Sequence, residues 1–239
     1  IAKLGLLKMD FLGLANLTIL KQATELVDQS RGIRLELRAI PLDDGPTFEL
    51  LSSGETADVF QLEGAGVRRF IKQLKPSSLA EVSAMIALYR PGPMEHIDTF
   101  IEARHGRAQA QYPHPSLKGI LEETYGVIVY QDQVFLIAQA FAGYSLGEAD
   151  ILRKAMGKKI PEIMAQEKDK FIQGALDQGN TQETAEKVFA LIEPFAGYGF
   201  PKAHAISYGL ISYMTAYLKA NYQEEYMVCL LNAYSDNTD

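Results

Sequence analysis

Tryptophan is absent from this 239-residue chain, and cysteine occurs once, at Cys229. With no second thiol there is no disulfide framework and no Cys-rich metal site. Cys229, inside the apolar run Met227 to Leu231, reads as a buried thiol of a reducing compartment. No apolar run approaches the roughly 20 residues that a membrane span needs, and the N-terminus lacks the layout of a secretory signal. Repeats and low-complexity segments are missing too. Positive charge is in deficit, with 23 Lys and Arg against 30 Asp and Glu and a formal net charge of -7. A surface attractive to nucleic acid all over is thereby excluded, and any polyanion contact must come from local patches. What is present, 47% hydrophobic and 22% charged residues, suffices for one large or two small globular cores. The expectation is a soluble, cytoplasmic protein. The chain starts without methionine inside apparent structure, as a segment of something longer would.

The charge deficit is reversed locally in Gly143 to Lys159, GYSLGEADILRKAMGKK, where Arg153, Lys154, Lys158 and Lys159 fall within one short stretch free of acids. At about 100° per residue, Ile151, Leu152, Ala155 and Met156 share one arc, and Asp150, Arg153, Lys154 and Lys158 the opposite one. Gly157 suits the residue after a helix, and Pro161 discourages continuation. Two readings stand side by side. The cations complement the dipole of a helix C-terminus and pair with Asp150 at i+3 and i+4, or they bind an external anion.

In Leu6 to Leu12 the period of two predicts a strand with Lys8 and Asp10 on one side and Leu7, Met9 and Phe11 on the other. Gly13 punctuates, and Leu14, Leu17, Ile19, Leu20, Ala23, Leu26 and Val27 predict a helix ending near Ser30 to Gly32. Ile33 to Ile40 reads as a short strand. Pro41 to Pro46 is a turn or boundary in which Asp43 and Asp44 are turn formers. Amphipathic helices are then expected at Thr47 to Leu51, Gly64 to Leu74, Ser78 to Leu88 and Met94 to Gly106, with β-like connectors at Val59 to Leu62 and Tyr125 to Tyr130. Arg68, Arg69, Lys72 and Lys75 make a basic stripe that either grips phosphates or is simply solvated. The stiff turn Tyr89 to Pro93 holds Arg90 as an anion hook or a helix-end cap. The acid and base alternation of Glu162 to Lys170 reads as an ordinary exposed surface, and Asp236 to Asp239 as a frayed tail.

A second focal stretch is Phe195 to His204, FAGYGFPKAH. Glycines flank Tyr198, so backbone approaches a flat ligand closely while the ring offers a stacking face. Pro201 suits the first position of a helix, which places Lys202 and His204 in its first turn, where free N–H groups favour an anion. The competing reading has Tyr198 and Phe200 as core aromatics and His204 as a packing residue.

These stretches together resemble the bacterial replicative DNA polymerases of the C family, the DNA polymerase III alpha subunits. The resemblance is carried by KMDFLGL at Lys8 to Leu14, DVFQLEGAGVRRFIKQLKP at Asp58 to Pro76, ALYRPGPM at Ala87 to Met94, YGVIVYQDQV at Tyr125 to Val134, GYSLGEADILRKAMGKK and FAGYGFPKAHAISYGLISY. It implies a mainly α fold. Residues 1–40 would be the C-terminal edge of the palm, a small β/α remnant, and residues 41–239 the helical fingers. It implies that Asp10 is one of three palm carboxylates holding two Mg²⁺ ions for nucleotidyl transfer, with Lys8 beside them. It further implies that Arg153 and Lys154, assisted by Lys158 and Lys159, bind the triphosphate of an incoming dNTP. Tyr198 and His204 would line its sugar and base end, near Lys202. Arg68, Arg69, Lys72 and Arg90 are candidate DNA or phosphate contacts. Lys154 stands where arginine is common in the family, and Pro201 where asparagine is. The implied partners are dNTP, primer-template DNA, the remaining polymerase domains and, through regions outside this chain, replisome subunits such as the sliding clamp; no membrane is implied. With a single palm carboxylate the segment alone is expected to be inactive. The alternative is a noncatalytic helical module that binds nucleic acid through the α-helical stripe at Arg68 to Lys75.

Overall fold

The computed structural model describes residues 4–7, 9, 12–158, 161–196 and 199–235, without the side chains of 156–158, 161–163, 194 and 196. Among the described residues there are α-helices and short 3-10 turns but no strand, so the fold is mainly α. The apolar side chains sort into three cores.

The first core joins α2 (Gly45–Ser53), α3 (Ala65–Leu74), α4 (Leu79–Leu88) and α5 (Ile97–Arg104) to α11 (Lys202–Asn221) from Ala205 to Ala216. Asp44 is the turn former expected of it. Its carboxylate accepts from the N–H and hydroxyl of Thr47 at 2.9 and 2.6 Å, which starts α2, and from Asn221 Nδ2 at 3.1 Å. Burial pushes the Asp44 carboxyl up, but these hydrogen bonds outweigh it and hold the group below its ordinary range. Ser78 caps α4 through the Glu81 N–H. Every side chain of α4 from Glu81 to Leu88 is buried. A helix apolar all round is an interior helix, so the amphipathic reading of 78–88 is corrected.

The second core is built by α6 (Lys118–Leu121), α7 (Gln131–Ala142), α8 (Leu146–Lys158), α9 (Pro161–Asp177) and α10 (Gln182–Ala196). Phe171 stands at its centre, 5.9 Å from Phe141 and 5.5 Å from Phe189 between ring centroids. Between the first two cores runs the stretch 127–130. Val127, Val129 and Tyr130 face the first core and Ile128 the second, which is why it reads as an apolar run. Its only ladder contact among the described residues is a single bridge from Tyr130 to Phe200.

The third core packs α1 (Ala15–Arg31) on α12 (Gln223–Ala233) and the end of α11. Gly32, at φ 66°, ends α1 where the periodicity predicts. Glu225 on α12 is buried and accepts from Arg31 Nε and Nη2 at 2.7 and 2.8 Å and from the Ser30 hydroxyl at 2.8 Å.

Two expectations are corrected, and a third falls partly outside the described residues. Ile33 to Ile40 is irregular chain that contains a 3-10 turn at Leu37–Ala39, and no strand among the described residues offers it a ladder. Val59 to Leu62 is a series of turns with Asp58 and Gln61 at φ 64° and 63°. It is held by side chains instead: Thr215 accepts the Phe60 N–H at 3.1 Å, and Tyr226 donates to the Asp58 carbonyl at 2.7 Å. The strand expected at Leu6 to Leu12 is not seen at its described residues 6, 7, 9 and 12, where all four side chains are exposed. Lys8, Asp10 and Phe11 lie outside the described residues, as do 236–239.

The Arg31–Glu225 pair, a buried acid with a solvent-exposed base, makes stability depend on pH. Hydrogen bonds from Arg31 hold the Glu225 carboxyl at about 2 against an ordinary 4.5. A depressed acid contributes stability above its unfolded value and loses it as pH falls towards the folded one. The urea midpoint of the purified chain should therefore fall between about pH 5 and about pH 3, and Glu225→Gln should flatten that fall; equal slopes in both proteins would contradict the assignment.

Candidate functional site

Sequence points to α8, to the start of α11 and to Arg90, and the fold fixes each by a local mechanism. The SLGE at 145–148 opens α8 as a capping box: the Ser145 N–H and hydroxyl donate to Glu148 Oε2 at 2.9 and 2.7 Å. Those bonds, the Ser145 hydroxyl first and then Lys170 Nζ at 2.9 Å, bring the Glu148 carboxyl down to about 2. The S-x-x-E spacing was readable in the sequence. Ala149, Leu152 and Ala155 then seat the helix in the second core, while Ile151, expected with them, is 53% exposed. An arc of about 100° per step puts Ile151 at the margin of the stripe. The helix runs to Lys158, so Gly157 lies inside it and not after it, and Pro161 begins α9.

Arg153 and Lys154 project from the side of α8 opposite Leu152. Arg153 donates through Nε and Nη2 to Asp150 Oδ1 at 3.2 and 3.0 Å, and Lys154 Nζ lies 2.6 Å from Asp150 Oδ2. Lys154, then Arg153, holds the Asp150 carboxyl below its ordinary range. Both cations remain partly exposed, 30% and 58% by side chain. One acid thus partly neutralises two bases, and the helical pairing read from the i+3 and i+4 spacing is present. Lys159 lies outside the described residues, as does the side chain of Lys158.

The start of α11 is built from four sources. Pro201 is the N-cap, one residue before the position expected of it, and offers no side-chain bond. Asp132, in the first turn of α7, supplies one instead, its Oδ2 accepting the Lys202 N–H at 2.8 Å. The Gln131 N–H donates to the Phe200 carbonyl at 3.1 Å. Lys202 Nζ donates to both carboxylate oxygens of Glu123 at 2.6 and 2.8 Å. Around this anchor an aromatic ladder is stacked: the Arg90 guanidinium 4.2 Å from the Phe200 ring centre, Phe200 5.0 Å from His204, His204 4.2 Å from Tyr208, and Tyr208 5.3 Å from Phe60. The exposed member of the ladder is His204, at its middle. Arg90 Nε also donates to the Ala87 carbonyl at 3.0 Å, capping α4, and burial lowers the guanidinium from its ordinary value. The His96 ring, at the end of the 3-10 turn that follows Gly92, lies 4.6 Å from that of Phe195. The RPGP turn and the Phe195 to His204 stretch are therefore one unit. Tyr198 lies outside the described residues. Sequence reading missed Glu123 and Asp132; an acid in the first turn of α7 signals capping, but nothing in sequence tells whose helix it caps.

On α3, Arg68 is turned inward and its Nε donates to the Gly54 carbonyl at 3.0 Å, closing α2. Arg69, Lys72 and Lys75 stay exposed. The stripe is thus part brace, part solvated face. Among the described residues no group of three or more His, Cys, Asp or Glu is placed to hold a metal ion. Asp10, to which the resemblance assigns Mg²⁺, is not among them, so the described residues do not make a two-ion site.

Residues 16–179 match the family model of the bacterial DNA polymerase III alpha subunit finger domain. DNA polymerase III subunit alpha of Thermus aquaticus is 51% identical over 241 residues, covering 99% of this chain and 20% of that protein. The Bacillus subtilis and Escherichia coli proteins of the same name are 50% and 48% identical over 99% and 98% of this chain, each covered to 21%. The chain belongs to the DNA polymerase III alpha subunit finger-domain family, and it spans about a fifth of the length of the curated relatives it matches.

Gly199 has no room for a side chain, since a Cβ there would come 2.9 Å from Gln131 Cα and Cβ. Gly199→Ala should therefore push Phe200 off Tyr130 and cost about 1–3 kcal/mol in urea unfolding; an unchanged midpoint would show that the contact is not tight.

Proposed function

We propose that this chain is the fingers, with a palm edge at residues 1–40, of a cytoplasmic template-directed DNA polymerase, and that it grips the incoming dNTP during two-metal nucleotidyl transfer to a primer end. The observation that carries the reading is the membership of the DNA polymerase III alpha finger family over residues 16–179, with the partly exposed Arg153 and Lys154 on α8. In this reading those two cations take the β and γ phosphates, exchanging Asp150 for the stronger polyanion, with Lys158 and Lys159 adding charge at the end of the helix. Arg153 offers the bidentate fork, Lys154 a point charge. Tyr198 and His204 face the sugar and base, where a ring excludes a ribose 2′-hydroxyl, and Lys202 and Arg90 stand beside them. Asp10, with Lys8 next to it, contributes one carboxylate to the Mg²⁺ site, the other ligands coming from parts of the polymerase outside this chain. Mg²⁺ when bound activates the primer hydroxyl and shields the triphosphate; the residues described here orient the nucleotide. The primer-template, the other polymerase domains and a sliding clamp complete the assembly, and the segment alone is inactive.

A noncatalytic nucleic-acid-binding module is the second reading, favoured by the exposed Arg69, Lys72 and Lys75 on α3. Arg153→Glu in the complete polymerase separates the two. We expect the dNTP KM to rise by about tenfold or more with DNA affinity unchanged. Loss of DNA affinity with a salt slope smaller by about 0.9 per phosphate contact, at constant KM, would favour the module.

A further inference from the structure

The first turn of α11 is the place where the sequence suggests an anion site, yet its chemistry is already engaged. Its first N–H is given to Asp132, the interaction an external phosphate would otherwise make. Its lysine is held by both oxygens of Glu123. Two carboxylates against one ammonium leave the spot with an excess of negative charge that a triphosphate would have to overcome. At the same time Lys202 Nζ lies 5.8 Å from the ring centre of Tyr130, and Tyr130 bridges Phe200, the ring on which His204 leans. Pro201 gives α11 no side-chain cap of its own, so the acids of two other segments, 122–124 and α7, define where the helix begins.

Resting on the nucleotide-gripping reading above, we propose that Lys202 is a positioning residue and not a phosphate ligand. Glu123, Lys202 and Asp132 form a clamp that fixes the start of α11, and so the orientation of Phe200 and His204 against the nucleotide's sugar. Glu123 and Asp132 are its other members. The Lys202 and Glu123 side chains are 37% and 43% exposed, and a pair so open to water adds little to global stability. Its loss therefore shows in geometry and turnover while the fold persists.

The test uses the complete polymerase carrying Glu123→Gln, Lys202→Gln, Lys202→Arg, or the exchanged pair Glu123→Lys with Lys202→Glu, with single-turnover dNTP incorporation and the thermal midpoint as readouts. Each Gln variant should lower the maximal rate about tenfold with the dNTP KM within about twofold and the midpoint unmoved. Lys202→Arg and the exchanged pair should recover to within about threefold of the parent. A raised KM in Lys202→Gln, a lowered KM in Glu123→Gln and no recovery in the exchanged pair would overturn the clamp in favour of direct phosphate binding; full activity in both Gln variants would overturn it as well. Arg153→Glu assayed alongside keeps the readings apart. If it leaves the dNTP KM unchanged while the exchanged pair recovers, the nucleotide reading falls and the clamp stands.

Discussion

The close approach of α11 to α4 governs the rest of the molecule. Ala205, Gly209, Ser212 and Ala216 recur at helical spacing along α11 and are all buried, and Ser83, Ala84 and Ala87 are buried on α4. At the crossing a Cβ on Gly209 would clash with the Ser83 hydroxyl and come 3.1 and 3.2 Å from Ser83 Cβ and Cα, so glycine is what lets the helices meet at this depth with Ser83 in place. Small residues on both sides bring the backbones together. The remaining faces of α11 are then committed. Tyr213 is fully buried, its hydroxyl donating to the Pro41 carbonyl at 2.7 Å and accepting the Asp44 N–H at 3.0 Å. Lys219 donates to the carbonyls of Glu55 and Ala57, which holds the turns before α3. One end of this helix enters the third core and the other carries Lys202 and His204. The position of the candidate site is thus inherited from packing far from it.

A second constraint is the buried Glu81. Its carboxylate accepts from Arg104 Nε at 2.8 Å, the Tyr125 hydroxyl at 2.7 Å and the Ser77 N–H at 2.7 Å. Burial pushes this carboxyl up, and the Arg104, Ser77 and Tyr125 bonds hold it below its ordinary range nonetheless. Burial, then the bond to Glu81, pushes the Tyr125 hydroxyl to about 12. A charge satisfied on every side in this way is costly to break and directs how its neighbours are placed. Tyr125 leads through 127–130 to Asp132, and Gln133 secures that passage by accepting the N–H groups of Val129 and Tyr130 at 2.8 and 3.0 Å. Glu81 thus supports the passage that carries Glu123 and Asp132 to the start of α11, and part of the chain's negative charge is structural in origin.

Much of this was legible in the sequence. Apolar spacing located α1, α3 and the end of α1 at Gly32, and Asp44 announced itself as a turn former. The pairing of Asp150 with Arg153 and Lys154 followed from i+3 and i+4 spacing alone. Single residues misled where tertiary context overrules local preference. YGVIVY looks like a strand because Val127 and Val129 face one core and Ile128 between them another, and Val59 to Leu62 is irregular because Thr215 and Tyr226 hold the backbone at Phe60 and Asp58. Gly157, a natural helix terminator, continues α8 instead. Glu123 and Asp132 were invisible because their partner, Lys202, is some seventy residues or more away in sequence, and no local pattern encodes a contact of that reach.

Photoaffinity labelling of the complete polymerase, bound to primer-template, with an azido-dNTP tests the central claim most directly. Peptide mapping should find the label within residues 143–158 and 199–208, and a chain-terminated primer that pairs the nucleotide with the template should strengthen it at both. Labelling confined to other parts of the polymerase, with neither stretch modified, would contradict the account.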